Sequence, residues 1–213
     1  MVKACEPISA VIFDVGQVLY HWEPRLLYER LIDDDRALDA FLRDIVSMEW
    51  HFQHDIGRPF AETSAELIAC HPEHEALIRI WGERFIDSVQ PAVAGMAQLV
   101  GELHEQGIAL YGLTNFSAEF WEPFHAREAE FFAHFRDILV SGAEGLVKPD
   151  PAIYRLALSR FGLSAGETFF IDDREENVAA AQALGIRSHL FQDAATLRRA
   201  LVAHRLLDAI PAL

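Results

Sequence analysis

The segment AVIFDVGQVLYHW, residues 10–22, sets the tightest limit on what this chain can become. Its first half is continuously apolar, the pattern of a strand buried on both faces. The run stops at Asp14, turns through Gly16 and becomes apolar again. A carboxylate at the end of a buried strand is costly unless it is paired, so Asp14 needs a partner or a chemical task.

Residues 10–15 predict the first strand, and four more runs share its character: residues 108–113, 138–141, 168–171 and 188–191. Helical stretches separate them. VAGMAQLVGELHEQG has apolar residues at helical spacing and stops at Gly107. DPAIYRLALSRFG offers Asp150 as N-cap, Pro151 at the first helical position and Gly162 at the end. REENVAAAQALG ends at Gly185. This alternation predicts a doubly wound α/β fold, a mostly parallel, Rossmann-like sheet with right-handed crossovers and helices on both faces. Residues 24–90 break the pattern: RLLYERLI, RALDAFLRDIV, FAETSAELIA and EALIRIWGERFI are amphipathic helical stretches with no convincing strand. The expected organisation is an α/β core of residues 1–22 and 91–213 with an inserted helical cap domain of residues 23–90. The insert leaves from the carboxyl end of the first strand, where it can cover a site, and its hinges are expected near residues 21–24 and 89–91.

Bulk properties narrow the function. The net charge of −15 and the lack of a basic patch argue against nucleic acid as a partner. No basic amphipathic helix and no apolar run of about 18 residues point to a membrane. The N-terminus lacks the apolar stretch of a signal peptide, so a cytoplasmic protein is expected; the oligomeric state is left open between monomer and homodimer. Cys5 and Cys70 form no paired motif. The histidine pairs His51/His54 and His71/His74 have i,i+3 spacing, but without cysteine ligands they read as insert surface rather than zinc sites.

Ligands of open parallel sheets bind beyond the carboxyl ends of the strands. The residues there are Asp14, Thr114 and Asn115, Ser141, and Asp172 and Asp173, with Lys148 in the loop after Ser141. Any one acid in such a place is ordinarily a helix cap; their shared position is the informative feature. Facing carboxylates repel unless a cation lies between them, and an all-oxygen set suits Mg²⁺. A metal, a lysine and a hydroxyl around an aspartate make a phosphoryl-transfer site with a carboxylate nucleophile. An anionic substrate needs this local positive charge against the chain's negative field.

FDVGQVL, LTN, VKPD and FIDDREENVAAAQALG resemble, in order and spacing, the four motifs of the haloacid dehalogenase-like hydrolase superfamily, and most closely its FD-x-G phosphatases. The resemblance implies Asp14 as nucleophile, Thr114 as phosphate-binding hydroxyl with Asn115 beside it, and Lys148 as the lysine that steadies nucleophile and phosphate. It implies Mg²⁺ held by Asp14, the Gly16 carbonyl and Asp173. Asp172 is implied as a supporting partner able to exchange roles with Asp173, and Asn177 as holder of a metal-bound water. The implied activity is Mg²⁺-dependent hydrolysis of a small-molecule phosphomonoester, such as a sugar phosphate.

Gly16 departs from the motif, which in most of these phosphatases has a second aspartate as general acid. His51 or His54 of the insert is a candidate replacement, since histidine titrates near neutrality. Trp50, His51, Gln53, His54 and Arg58 are candidate pocket residues, with Trp50 and Phe52 otherwise core; Phe116 and Trp121 read as packing. Two other functions remain open. A metal-independent 2-haloacid dehalogenase also lacks the second aspartate, but paired acids facing Asp14 oppose an anionic haloacid. A non-catalytic phospho-ligand or partner binder has no need of a nucleophile.

Overall fold

The computed structural model describes residues 7–208; Cys5 lies outside them, and Cys70 is an exposed free thiol. Five parallel strands, β1 (Ala10–Phe13), β4 (Ala109–Thr114), β5 (Asp137–Val140), β6 (Thr168–Asp172) and β7 (Arg187–Leu190), form one sheet in the order β5-β4-β1-β6-β7. All five sequence-predicted runs are strands, with ends moved by a residue or two. β1 is central, with Phe13 level with Gly112 and Ile171. Its successive side chains divide between two cores. Val11 and Phe13 join the cluster containing Leu99, Leu103 and Leu197, whereas Ala10 and Ile12 join that of Ile153, Tyr154 and Ala157. Burial on both faces is why these strands read as unbroken apolar runs.

The helix Pro151–Phe161 shows how local chemistry sets element ends. Asp150 accepts a hydrogen bond from the Ala152 amide at 2.8 Å, and Gly162 closes the helix at φ +66°, a left-handed conformation that suits glycine. The helices Met96–Glu105 and Glu175–Ala183 likewise stop just before Gly107 and Gly185.

Residues between the first two predicted strands form the helices Asp35–Asp44, Met48–Asp55, Phe60–Cys70 and Glu75–Arg84. RLLYERLI yields only the single turn Arg25–Tyr28, and Asp34, in an extended conformation, caps the next helix through the Ala37 amide. A fourth helix, Met48–Asp55, is capped by the Ser47 hydroxyl. The crossings differ from expectation. Both are strands, β2 (Tyr20–Trp22) and β3 (Val89–Ala92), paired antiparallel and extended by bonds from Glu23 to Ser88 and from Val93 to Leu19. Residues 20–22 and 89–92 are too short and too mixed in polarity to announce themselves as strands, and Pro91 is exposed in a two-stranded ribbon that has no interior strand.

Insert and sheet meet at a backbone seam. The Ser141 hydroxyl donates to the Asp55 carbonyl at 2.6 Å and accepts from the Phe116 amide at 2.9 Å. A Cβ on Gly142 would lie 2.6 Å from the Ala118 nitrogen, 2.8 Å from the Phe116 carbonyl and 3.1 Å from the His54 carbonyl. Only glycine permits that approach. No helix among the described residues is long and apolar enough to cross a membrane.

Candidate active site

β1 delivers Asp14, β6 delivers Asp172 and Asp173, and the loop after β5 delivers Lys148, all at the same edge of the sheet. The Lys148 ammonium lies between two carboxylates, 2.9 Å from Asp14 Oδ1 and 2.7 Å from Asp172 Oδ2. Burial alone would lower the Lys148 pKa, but Asp14 and Asp172 outweigh it and raise it, so the lysine stays charged. Burial pushes the Asp14 carboxyl up to about 7; Lys148 opposes the rise, and Asp172 and Asp173 add to it.

The two acids that end β6 are not equivalent. Asp172 is fully buried, its Oδ1 accepting from the Asn177 amide and the Arg174 backbone at 2.9 Å each, while Oδ2 holds Lys148. Asp173 is only partly buried and lines the cleft; burial, then Asp172, raises its pKa. The Val15 amide and Lys148 both bond Asp14 at Oδ1, so Oδ2 takes neither contact.

Oxygens of Asp14, Asp172 and Asp173 lie within 4.8 Å of one another. This all-carboxylate set fits a hard divalent cation such as Mg²⁺. Because Asp172 is already engaged on both oxygens, Asp14 and Asp173 are the carboxylates placed to take it, with Gly16 also lining the cleft. Among the described residues this is the only group of three or more such ligands; neither histidine pair belongs to one.

Other sequence candidates fall differently. Thr114 is buried at the end of β4 beside Val140, while Asn115 lines the cleft. The Asn115 amide clamps the backbone of Lys148 in both directions, at 2.9 and 3.0 Å, across a cis Lys148–Pro149 junction. Asn177 reaches the cleft, but its NH₂ group bonds Asp172. Trp50 is core, donating to the Thr63 carbonyl, and Arg58 pairs with Glu66 and Gln53 on the surface. Phe116 and Trp121 pack as expected, in a cluster with Phe124.

The histidine expectation needs correction. His54 turns from the cleft to Thr63 Oγ1 at 2.6 Å, and burial drives its pKa down to about 4. His51 lines the cleft, yet burial, then His54, drives it down to about 3. Both are neutral near pH 7, and a group so reluctant to hold a proton is a poor general acid.

The cleft, about 600 Å³, is lined by charged and apolar side chains. The sheet end supplies Asp14, Lys148, Asp173 and Arg174; the ribbon and insert supply the apolar Trp22, Met48 and Phe52 together with Glu49, His51 and Asp55. Met48 and Phe52 are 55% and 41% exposed, and Ile56, four residues on, is 39% exposed; with Leu190 they are the exposed large apolar side chains among the described residues. Phe52 is therefore a cleft residue, not core.

Sequence reading missed Asp55, which also lines the cleft. Its signal was a carboxylate ending the MEWHFQHD helix two residues before Gly57. Burial raises Asp55 to about 7 against the Ser117 amide that bonds it, and Asp14 adds to the rise. Asp55 Oδ1 is 3.7 Å from His51 Nε2, but burial favours the neutral form of each group, so the contact is not an ion pair.

Residues 8–185 match the family model of haloacid dehalogenase-like hydrolases. The chain belongs to this hydrolase family. It is 31% identical over 199 residues to sesquiterpene phosphatase AstK of Aspergillus oryzae, covering 90% of this chain and 94% of that protein. It is 28% identical over 196 residues to a phosphoglycolate phosphatase of Photobacterium profundum, covering 85% and 82%. The fold also matches a HAD family enzyme from Bacteroides thetaiotaomicron crystallised as a magnesium complex, with TM-score 0.69 and 20% identity over 91% of this chain and 100% of that one.

Proposed function

We propose that the protein is a Mg²⁺-dependent phosphatase that hydrolyses small-molecule phosphomonoesters through an aspartyl-phosphate on Asp14. The observation that carries this reading is the Lys148 ammonium between Asp14 and Asp172, with Asp173 beside them at the mouth of the cleft. Lys148 holds Asp14 Oδ1, which keeps the carboxylate oriented and leaves Oδ2 for attack on phosphorus. Lys148 and Arg174 supply positive charge for the phosphoryl oxygens. Asn115 fixes the lysine loop through its backbone. Asp14 and Asp173, with the Gly16 carbonyl, would hold Mg²⁺, which when bound neutralises the charge of phosphate and nucleophile.

The apolar lining of the cleft favours an alcohol with a hydrocarbon portion resting on Trp22, Met48 and Phe52, in place of the sugar phosphate suggested by the motif resemblance. A relative named as a sesquiterpene phosphatase, aligned over nearly its whole length, supports the same choice. In this reading residues 23–90 act as a cap that contributes the leaving-group side while the sheet contributes the phosphoryl side.

The test is phosphate release from p-nitrophenyl, sugar and prenyl monophosphates, with Mg²⁺ and with a chelator, by wild type and Asp14→Asn. Metal-dependent release that Asp14→Asn abolishes is the expected result. Halide release from 2-chloropropionate without metal would replace this reading with a dehalogenase, and tight phosphate-ligand binding without turnover would replace it with a binder.

A further inference from the structure

Cleavage of an alkyl phosphate expels an alkoxide unless a proton reaches the leaving oxygen, and a placed donor accelerates that step by typically 10²–10⁴-fold. Position 16 has no side chain to give one; a Cβ there would meet nothing within 4 Å. The cleft must supply the donor from elsewhere. Lys148 is held between two carboxylates, and arginine does not give up its proton. His51 is neutral, Asp173 stands on the phosphoryl side with Asp14, and Glu49 is exposed to solvent.

Asp55 has what the others lack. It reaches the cleft from the insert, lines it together with Asp14, and is 7% exposed. Oδ1 is buried without a hydrogen-bond partner, and the nearby His51 Nδ1 is equally unpartnered. Its main chain is fixed on the core by the Ser141 hydroxyl, so the carboxyl is held at the seam. The groups that face it are His51 from its own helix, Asp14 from β1, Lys148 from the loop after β5 and the Ser117 amide.

Resting on the phosphatase reading above, we propose that Asp55 is the general acid and base of this site, a catalytic residue supplied by the insert. In the first step Asp14 Oδ2 bonds to phosphorus, the P–O bond to the alcohol breaks, and the Asp55 carboxyl gives its proton to the departing oxygen. In the second step water attacks the aspartyl-phosphate and passes a proton to the Asp55 carboxylate. Inorganic phosphate leaves, and both residues return to their starting states. The near-neutral pKa of Asp55 suits a group that must both give and take a proton at pH 7.

The experiment compares wild type, Asp55→Asn and Asp55→Glu on p-nitrophenyl phosphate, whose leaving group needs no proton, and on an alkyl monophosphate, whose leaving group does. Asp55→Asn is expected to lose about 10²–10⁴-fold in kcat/KM on the alkyl ester, with a far smaller loss in kcat/KM on the nitrophenyl ester. Its kcat falls on both, because hydrolysis of the aspartyl-phosphate, which uses Asp55 as base, is common to them. Asp55→Glu is expected to restore part of the alkyl activity. Equal losses in kcat/KM on both esters, or none on either, overturn the assignment. If Asp55→Asn does not fold, the wild-type series decides: acid assistance makes kcat/KM nearly independent of alcohol acidity, and a steep dependence overturns it. Failure of wild type to release phosphate from either ester rejects the phosphatase reading instead, so the two failures are distinct.

Discussion

The sheet and the inserted helices solve different problems with similar residues. At the sheet edge, charges are locked: Lys148 touches two carboxylates, Asp172 is saturated, and Asn115 clamps the lysine loop. In the insert, polar groups facing the cleft are left with spare capacity, as at Asp55 and His51, and apolar side chains stand in water at Met48, Phe52 and Ile56. One region has spent its interactions on holding a geometry; the other keeps them available for a ligand. In the proposed reading the nucleophile belongs with the first, and the proton donor and the grip on the alcohol with the second.

Single substitutions can break this contrast. The largest effect is expected from Asp14→Asn, which removes the nucleophile and should cut kcat on the order of 10⁴-fold or more on every ester; residual turnover near wild type would move the chemistry away from β1. Next comes Lys148→Ala. It leaves Asp14 and Asp172 buried without their shared cation, and about 3 kcal/mol of stability should be lost in urea unfolding alongside activity. Gly142→Ala probes the seam: the new methyl group must displace backbone on both sides, for about 2 kcal/mol of destabilisation, whereas an unchanged unfolding midpoint would mean the seam is slack.

The insert variant Phe52→Ala should act selectively. It is expected to lower kcat/KM about tenfold for a prenyl phosphate, from the apolar surface no longer buried, and to spare a sugar phosphate. Equal losses on the two would remove Phe52 from the leaving-group side. The smallest effect concerns pH. His51 is held near 3 when folded, well below its unfolded value, so the unfolded chain binds more protons between these limits. The stability due to neutral His51 is present above about pH 6.5 and is lost as pH falls, at up to ~1.4 kcal/mol per unit. Asp14 and Asp55, raised to about 7, have the opposite slope across pH 4–7 and partly mask it in wild type. The gap in stability between wild type and His51→Phe should therefore shift against wild type by about 1 kcal/mol between pH 7.5 and 5.5; a constant gap would show that His51 is protonated freely in the fold.

The same contrast explains what could be read in advance. β1, β4, β5, β6 and β7 were legible because burial on both faces leaves an apolar run in the sequence, and the rule that ligands meet strand ends brought Asp14, Lys148, Asp172 and Asp173 together. That Asp172 rather than Asp173 is the engaged acid followed only from the family resemblance; spacing alone left it open, because it depends on which way each side chain points at the end of β6. The helices of the insert were legible as helices, but their facing was not. Amphipathic spacing says that one stripe is apolar, and either core or cleft satisfies it; Trp50 took the first and Phe52 the second. His54 is a candidate from the gap at Gly16 and the near-neutral titration of histidine, yet it is tied to Thr63, whereas the neighbouring Asp55 enters the cleft, a difference of one residue, about 100° around a helix.

The β2–β3 ribbon has a consequence for how such a molecule can diversify. Tyr20 sits opposite Ala92, so everything between them departs from and returns to neighbouring points on one side of the sheet. Along the backbone the excursion closes on itself, although it is also tied to the framework where Ser141 bonds the Asp55 carbonyl. A substitute of other length or architecture, provided its two ends lie one strand apart, would attach at the same doorway without disturbing the order of the sheet. New substrates could thus be acquired by exchanging what is mounted on the ribbon, while Asp14, Lys148 and Asp173 beneath are inherited and the proton donor must come with each new insert.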